Sequence, residues 1–312
     1  DGAFDDRATQ RVVSRNFPLC KFDYYIENDV LNLKTEFLSL SYKLSEEFSK
    51  ENLSVTMSDG KVWCFGDETN DLLGTTRTLD GVDGAVPLEH GVCSRDGFAV
   101  LDDSRSMRLD DEGWIAIPDS YNTDIYFFGY GHDYKDCISD FYRLTGAPPL
   151  LPAYALGNWW SRYHKYTQDE YINLMQRFEN EDIPFSVAVI DMDWHPTHFP
   201  DEPRGYGWTG YSWNKELFPD HVEFLNWLHK HNYRTSLNLH PADGVRWQED
   251  MYREMAEKMG IDPETKTPIP FDITDKKFLL NYFDVLHHPH EKDGIDFWWI
   301  DWQQGNKTKV DG

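Results

Sequence analysis

The 312-residue chain carries 55 acidic against 30 basic residues, a formal charge of −25 that opposes contact with phosphate backbones and anionic surfaces. Nucleic acid and membrane are therefore set aside as partners, and no apolar run approaches the roughly 20 residues of a membrane span. The length suffices for two ordinary domains or one large barrel, and a soluble protein is expected, cytoplasmic or secreted, because the amino terminus shows no signal-peptide pattern but a removed leader would leave none.

Aromatic residues form 15% of the chain, a supply of flat rings on which sugar faces stack and equally the material of a rich apolar core. Cys20, Cys64, Cys93 and Cys137 are widely spaced and follow neither metal-ligand nor redox spacing. The sequons Asn52-Leu-Ser54 and Asn306-Lys-Thr308 are short enough to arise by chance.

Up to about Tyr130 short alternating stretches recur between polar turns, such as Leu38, Leu40, Tyr42 and Leu44, then Leu53, Val55 and Met57. That period of two predicts antiparallel strands in a β-sandwich over residues 1–132. Asp133 is a predicted N-cap for a helix whose apolar face is Tyr134, Cys137, Ile138, Phe141 and Tyr142. Gly146, Pro148, Pro149 and Pro152 end it, so residues 133–152 read as a linker. The acidic groups Asp102-Asp103 and Asp110-Asp111-Glu112 read as a solvated face.

From residue 153 the pattern alternates strand and helix. A strand over Ala153–Trp160 precedes the capping box Thr167-Gln-Asp-Glu170 and an apolar stripe of Tyr171, Leu174, Met175 and Phe178. Phe185–Ile190 is the next strand, followed after an aromatic loop by a helix near His221–Lys230. Arg234–Leu239 is a third strand, Leu279, Tyr282, Phe283 and Leu286 mark a helix, and Phe297–Ile300 is the fourth strand. His287, His288 and His290 fall at that helix's predicted C-terminus, where imidazolium meets the negative end of the dipole; they are read this way and not as a metal site.

Such alternation indicates a parallel α/β sheet, doubly wound or a (β/α)8 barrel. The turn after the first strand is Ser161-Arg162-Tyr163-His164, without the glycines that cradle a pyrophosphate, which favours the barrel. Each strand then ends on a polar side chain: Arg162, Asp191 with Asp193, His240 and Asp301. In a barrel these ends converge on one mouth. Convergent carboxylates are the material of glycoside hydrolysis, where a retaining enzyme sets a nucleophile and an acid roughly 5 to 5.5 Å apart. Trp299 and Trp302 flank Asp301 as candidate walls. Taken singly, Asp191 or Asp301 could equally cap the following helix.

Asp296-Phe-Trp-Trp-Ile-Asp301 resembles the nucleophile strand of glycoside hydrolase family 31, with its Trp two positions before the catalytic Asp. Asp191-Met-Asp193-Trp resembles that family's strand end whose first Asp holds sugar hydroxyls in the −1 subsite, and Phe218-Pro219-Asp220 and Leu156-Gly157 with Ser161-Arg162 resemble further barrel segments. Upstream, Leu73-Gly74-Thr-Thr-Arg77-Thr-Leu79-Asp80 and Ser94-Arg95-Asp96-Gly97 are similar to its N-terminal sandwich. The resemblance implies an α/β chain with an all-β N-terminal domain, a β-sandwich followed by the first half of a (β/α)8 TIM barrel over residues 153–312. It implies Asp301 as nucleophile, Asp191 as substrate ligand with Asp193 beside it, and Trp299 lining the pocket; Arg162, His240 and Trp208 are placed by position alone.

The implied activity is that of a retaining, exo-acting α-glycosidase, foremost an α-glucosidase on α-linked oligosaccharides, needing no cofactor or metal. The family's usual continuation after the nucleophile is Met-Asn-Glu, whereas Trp302-Gln303-Gln304 stands here. An amide in place of an acid leaves α-galactosidase, α-xylosidase and α-transglycosidase open, as well as a catalytically dead sugar-binding relative. The family's acid/base Asp lies further downstream, so the other half of the barrel is expected on a companion chain or a continuation.

Overall fold

The computed structural model describes residues 5–76, 79, 82–117 and 122–301. Trp302, Gln303, Gln304 and the Asn306 sequon lie outside the described residues, as do Arg77, Thr78 and Asp80 of the upstream motif. The chain divides into two compact units that meet between Pro149 and Leu150.

In the first unit β1 (Phe22–Glu27), β2 (Val30–Thr35), β3 (Leu38–Lys43), β4 (Leu53–Met57) and β5 (Val62–Cys64) form an antiparallel meander in chain order. β4 alternates buried and half-buried residues, so Val55 and Met57 turn inward with Trp63 of β5. They pack against Phe98, Val100 and Phe127, the last two from the ladder of β6 (Ala99–Asp102) with β9 (Ile125–Phe128). The expected sandwich is thus two packed layers of unequal size, five strands over two, with a separate pair β7 (Arg108–Leu109) and β8 (Ile115–Ala116). Asp103 is not on a solvated face: it is fully buried and accepts a 2.8 Å hydrogen bond from Thr9 Oγ1.

Helix α1 (Tyr134–Thr145) starts where Asp133 accepts from Asp136 N and stops at Gly146, whose φ of 84° suits a residue without Cβ. Its buried side is Cys137 and Leu144, packed with Val12 and Phe128, while Ile138 and Tyr142 face outward. The stripe is therefore rotated from the sequence expectation, and α1 belongs to the first unit's core. All four cysteines carry free thiols, and burial pushes that of Cys137 up to about 12.

The second unit is a four-stranded parallel sheet in chain order, β10 (Trp159–Trp160), β11 (Val187–Ile190), β12 (Arg234–Leu239) and β13 (Phe297–Ile300). β10 is shorter than the sequence suggests, because Ala153–Leu156 form a 3-10 turn instead. Ser186 Oγ ties that turn down by donating to Tyr154 O at 2.7 Å, and its side chain fills the space a Cβ on Gly157 would need. Helix α2 (Gln168–Asn180) carries the capping box, with Thr167 and Glu170 satisfying each other's backbone N–H. Helix α3 (His221–Lys230) is capped by Asp220. Helix α4 (Tyr252–Met259), absent from the sequence reading, precedes α5 (Lys276–Tyr282), a π turn over Phe283–His287 and α6 (His288–Asp293).

Strand alternation sorts the side chains. Trp160, Ala188, Ile190, Leu237, Leu239 and Trp298 join Tyr171, Met175, Phe224, Leu225, Leu228, Met255 and Phe278 in one core between sheet and helices. Each fully buried Leu or Phe there contributes about 1.5–3 kcal/mol. Trp159, Val187, Val189, Ser236, Asn238, Phe297 and Trp299 fall on the opposite face of the sheet. β13 is only half-buried to exposed whereas β11 is buried throughout.

The histidines differ from the expected cationic C-terminus. His287 ends the π turn and His288 opens α6; His287 and His290 are buried, with the His287 ring 4.2 Å from that of Trp298. Burial, reinforced by His290 and His288, pushes the His287 pKa down to about 3, and burial lowers that of His290. Wholly buried His195 is pushed down to about 4 by the same cause. These rings are neutral in the fold and gain a proton near pH 6.5 once unfolded, so their contribution is complete above that pH and is lost as pH falls towards 4 and 3. Stability should drop by up to about 1.4 kcal/mol per pH unit per ring below 6.5. Urea melts at pH 7.5 and 5.5 check this: His287→Gln should flatten the slope, and an equal slope in both proteins would contradict it.

Candidate active site

Asp191 is held by a turn in which Trp194 N donates to Asp191 O at 3.2 Å. Asp193 closes that turn at φ 75°, a left-handed conformation that short polar Asp tolerates, and its carboxylate accepts from Thr197 Oγ1 at 2.6 Å. Fully buried Trp194 donates from Nε1 to the carbonyl of Asn238 on β12 at 2.7 Å, which fixes the turn to the neighbouring strand. The aromatic loop that follows comes so close that a Cβ on Gly210 would strike the His195 ring. Glu249 anchors it further on, accepting from Tyr211 N at 2.9 Å and Ser212 Oγ at 2.7 Å; burial raises its pKa.

Asp301 N donates to Leu239 O at 2.9 Å, which extends the ladder past β13 and sets Asp301 abreast of His240. His240 Nε2 lies 3.8 Å from Asp301 Oδ2, too far for a hydrogen bond yet within Coulombic reach. Burial lowers the His240 pKa against the pull of Asp301 and Asp191, so the ring is neutral near pH 7. Burial raises the Asp191 pKa, as do the charges of Asp301 and Asp193, while the Met192 N–H and His240 oppose the shift. Asp301 keeps 45% of its side chain exposed. The mouth thus presents an accessible carboxylate, a neutral imidazole and a more buried carboxyl.

Trp208 stands edge-on to His240, ring centroids 5.3 Å apart, and Thr209 donates its hydroxyl to His240 O. Gly205, Trp208, Thr209, His240, Ala242 and Asp243 line a hollow of about 260 Å³. Trp299, 39% exposed, meets Trp159 edge-on at 6.2 Å on the inner face. Of the side chains named from sequence, Asp191, Asp193, His240, Asp301, Trp208 and Trp299 gather at or beside this mouth. Arg162 follows β10 and is exposed, and Trp302 lies outside the described residues. Among the described residues no three His, Cys, Asp or Glu side chains converge in metal-holding geometry.

Sequence reasoning missed Asn238, which lies between Asp191 and Trp299 on the inner face. The register Ile190↔Leu237 places Asp191 beside Asn238, and Asn238 pairs with Trp299 directly. The signal was present: Ser236-Leu-Asn238-Leu-His240 alternates polar and aliphatic with period two.

Residues 148–311 match the family model described as "Glycosyl hydrolases family 31 TIM-barrel domain". The chain is 25% identical over 235 residues to an alpha-xylosidase of Saccharolobus solfataricus, covering 73% of this chain and 29% of that one. It is 32% identical over 202 residues to alpha-glucosidase 2 of Bacillus thermoamyloliquefaciens, covering 60% and 24%. Among solved structures, a GH31 alpha-xylosidase from a soil metagenome complexed with xylose superposes with a TM-score of 0.57 at 16% identity, covering 96% of this chain and 52% of that one. A Flavobacterium johnsoniae GH31 dextranase complexed with glucose reaches a TM-score of 0.61 at 13% identity, covering 98% and 43%. The chain thus spans about half the length of these structural relatives and less than a third of the curated ones. With a family match over more than half its residues and the strand-end carboxylates in place on a parallel sheet, this chain belongs to glycosyl hydrolase family 31.

Proposed function

We propose that the protein is a retaining, exo-acting α-glycosidase of α-glucosidase type in which Asp301 attacks the anomeric carbon and Asp191 holds sugar hydroxyls. The observation that carries this is the pairing of an accessible Asp301 with a half-buried Asp191 at one mouth, flanking neutral His240. A carboxylate 45% open to solvent, 3.8 Å from a neutral imidazole, is suited to nucleophilic attack. Asp191 is shaped for binding, because a desolvated carboxylate makes strong charge-assisted hydrogen bonds to hydroxyls. Trp299 walls the sugar, Trp208 and His240 border the same mouth as Asp301, and Asp193 steadies the Asp191 turn.

The general acid on this reading is supplied by further βα units that close the ring on the open edges of β10 and β13. The half-exposed β13 supports such a neighbour. Neither cofactor nor metal enters the mechanism. A second reading, α-xylosidase, is favoured by the relatives of that name, one of which matches 73% of the chain. The protein is assayed against nitrophenyl α-glucoside, α-xyloside and α-galactoside. Preference for the glucoside supports the first reading and preference for the xyloside the second; sugar binding without turnover of any would instead make it a non-catalytic relative.

A further inference from the structure

Asn238 is 5% exposed, and its Oδ1 has no hydrogen-bond partner among the described residues. It sits in mid-strand on β12 with its side chain on the inner face, since Leu237 and Leu239 on either side belong to the core under the helices. Register puts it between Asp191 and Trp299, one inward-facing position below His240 and Asp301. Its backbone carbonyl is engaged by Trp194 Nε1, so the strand cannot turn to hide the amide without breaking the bond that fixes the Asp191 turn. An aliphatic residue would satisfy packing at a buried strand position, and an unpaired buried amide carbonyl destabilises the fold. Such a group, one inward-facing position below His240 and Asp301, is matched by a ligand that brings its own donor.

We propose that Asn238 is a specificity-determining residue: its side-chain carbonyl accepts a hydrogen bond from a ring hydroxyl of the sugar that Asp191 also holds. The inference rests on the active-site reading above. It selects pyranosides with hydroxyls that reach both β11 and β12, strands about 4.8 Å apart, and discriminates against sugars deoxygenated at the position Asn238 reads. Ser236 Oγ, two residues deeper on the same face, is likewise buried without a partner among the described residues, so it does not satisfy the Asn238 carbonyl.

The experiment compares the full protein with Asn238→Leu and Asn238→Ala on the nitrophenyl α-glycoside it hydrolyses best and on the mono-deoxy analogues of that sugar. Ratios of kcat/KM between analogues on one sample do not depend on the fraction folded, so a destabilised variant still reports. Wild type should lose roughly 10- to 100-fold on one analogue, and both variants should reduce that one penalty to near unity while keeping the penalties due to Asp191. Equal penalty profiles in wild type and both variants would overturn the role of Asn238. Asp301→Ala is measured in parallel: if hydrolysis survives it, the active-site reading itself fails. If Asp301 is essential but the profiles coincide, only the Asn238 assignment falls, and hydrolysis of no glycoside overturns both.

Discussion

Asp301→Asn should abolish turnover, with kcat reduced roughly 10⁴-fold or more, the scale on which removal of a covalent nucleophile acts. The substitution preserves shape, and its backbone N–H keeps the 2.9 Å bond to Leu239 O that aligns it with His240. With 45% of the side chain exposed, the change should cost the fold no more than about 0.5 kcal/mol. Loss of the anion 3.8 Å from His240 removes a charge that raises the pKa of that ring, so its titration should move further down. Labelling with a fluorinated glycosyl donor and sequencing the modified peptide tests the role directly. A label on another residue, or an Asn variant of near-normal rate, would remove Asp301 from the chemistry.

Asp191→Ala comes next in size. Each charge-assisted hydrogen bond to a sugar hydroxyl contributes about 1.5–3 kcal/mol, so loss of one lowers kcat/KM roughly 10- to 150-fold and loss of two up to about 10⁴-fold. Because burial, Asp301 and Asp193 raise the Asp191 pKa, the ionised form needed for binding is depleted at a higher pH than for an ordinary carboxylate. The acid limb of kcat/KM should therefore lie at a higher pH than an unperturbed Asp191 would set, and Asp191→Asn should shift that limb without removing it, because Asp301 must still be ionised to attack. Wild-type kcat/KM in the Ala variant would exclude the role.

The parallel unit was largely legible because its signals are local. Thr167 sits where a helix must be capped, and strand-patterned segments ending on Asp191, His240 and Asp301 mark the strand ends. What escaped depends on contacts distant in sequence. The neutrality of His287 comes from packing against Trp298 and His290, not from its place along the helix. Asp103 is drawn inside by Thr9, a partner 94 residues away. The role of Asn238 depends on which face of β12 it occupies, and a period-two pattern shows the faces without naming the one that meets the mouth. The sandwich was harder still, since alternation identifies strands but not how many join each layer.

The chain-order arrangement β10-β11-β12-β13 bears on how the sheet is made. Every ladder joins a strand to the one just before it in sequence, so no pairing must wait for a distant segment, and each loop closed is a single crossover. The sheet can therefore grow one strand at a time as a chain emerges during synthesis, with the newest strand always at the rim. The rim strand at any moment is a temporary template, and the aromatic Phe297–Ile300 at that place is the segment from which misassociation of nascent chains would begin.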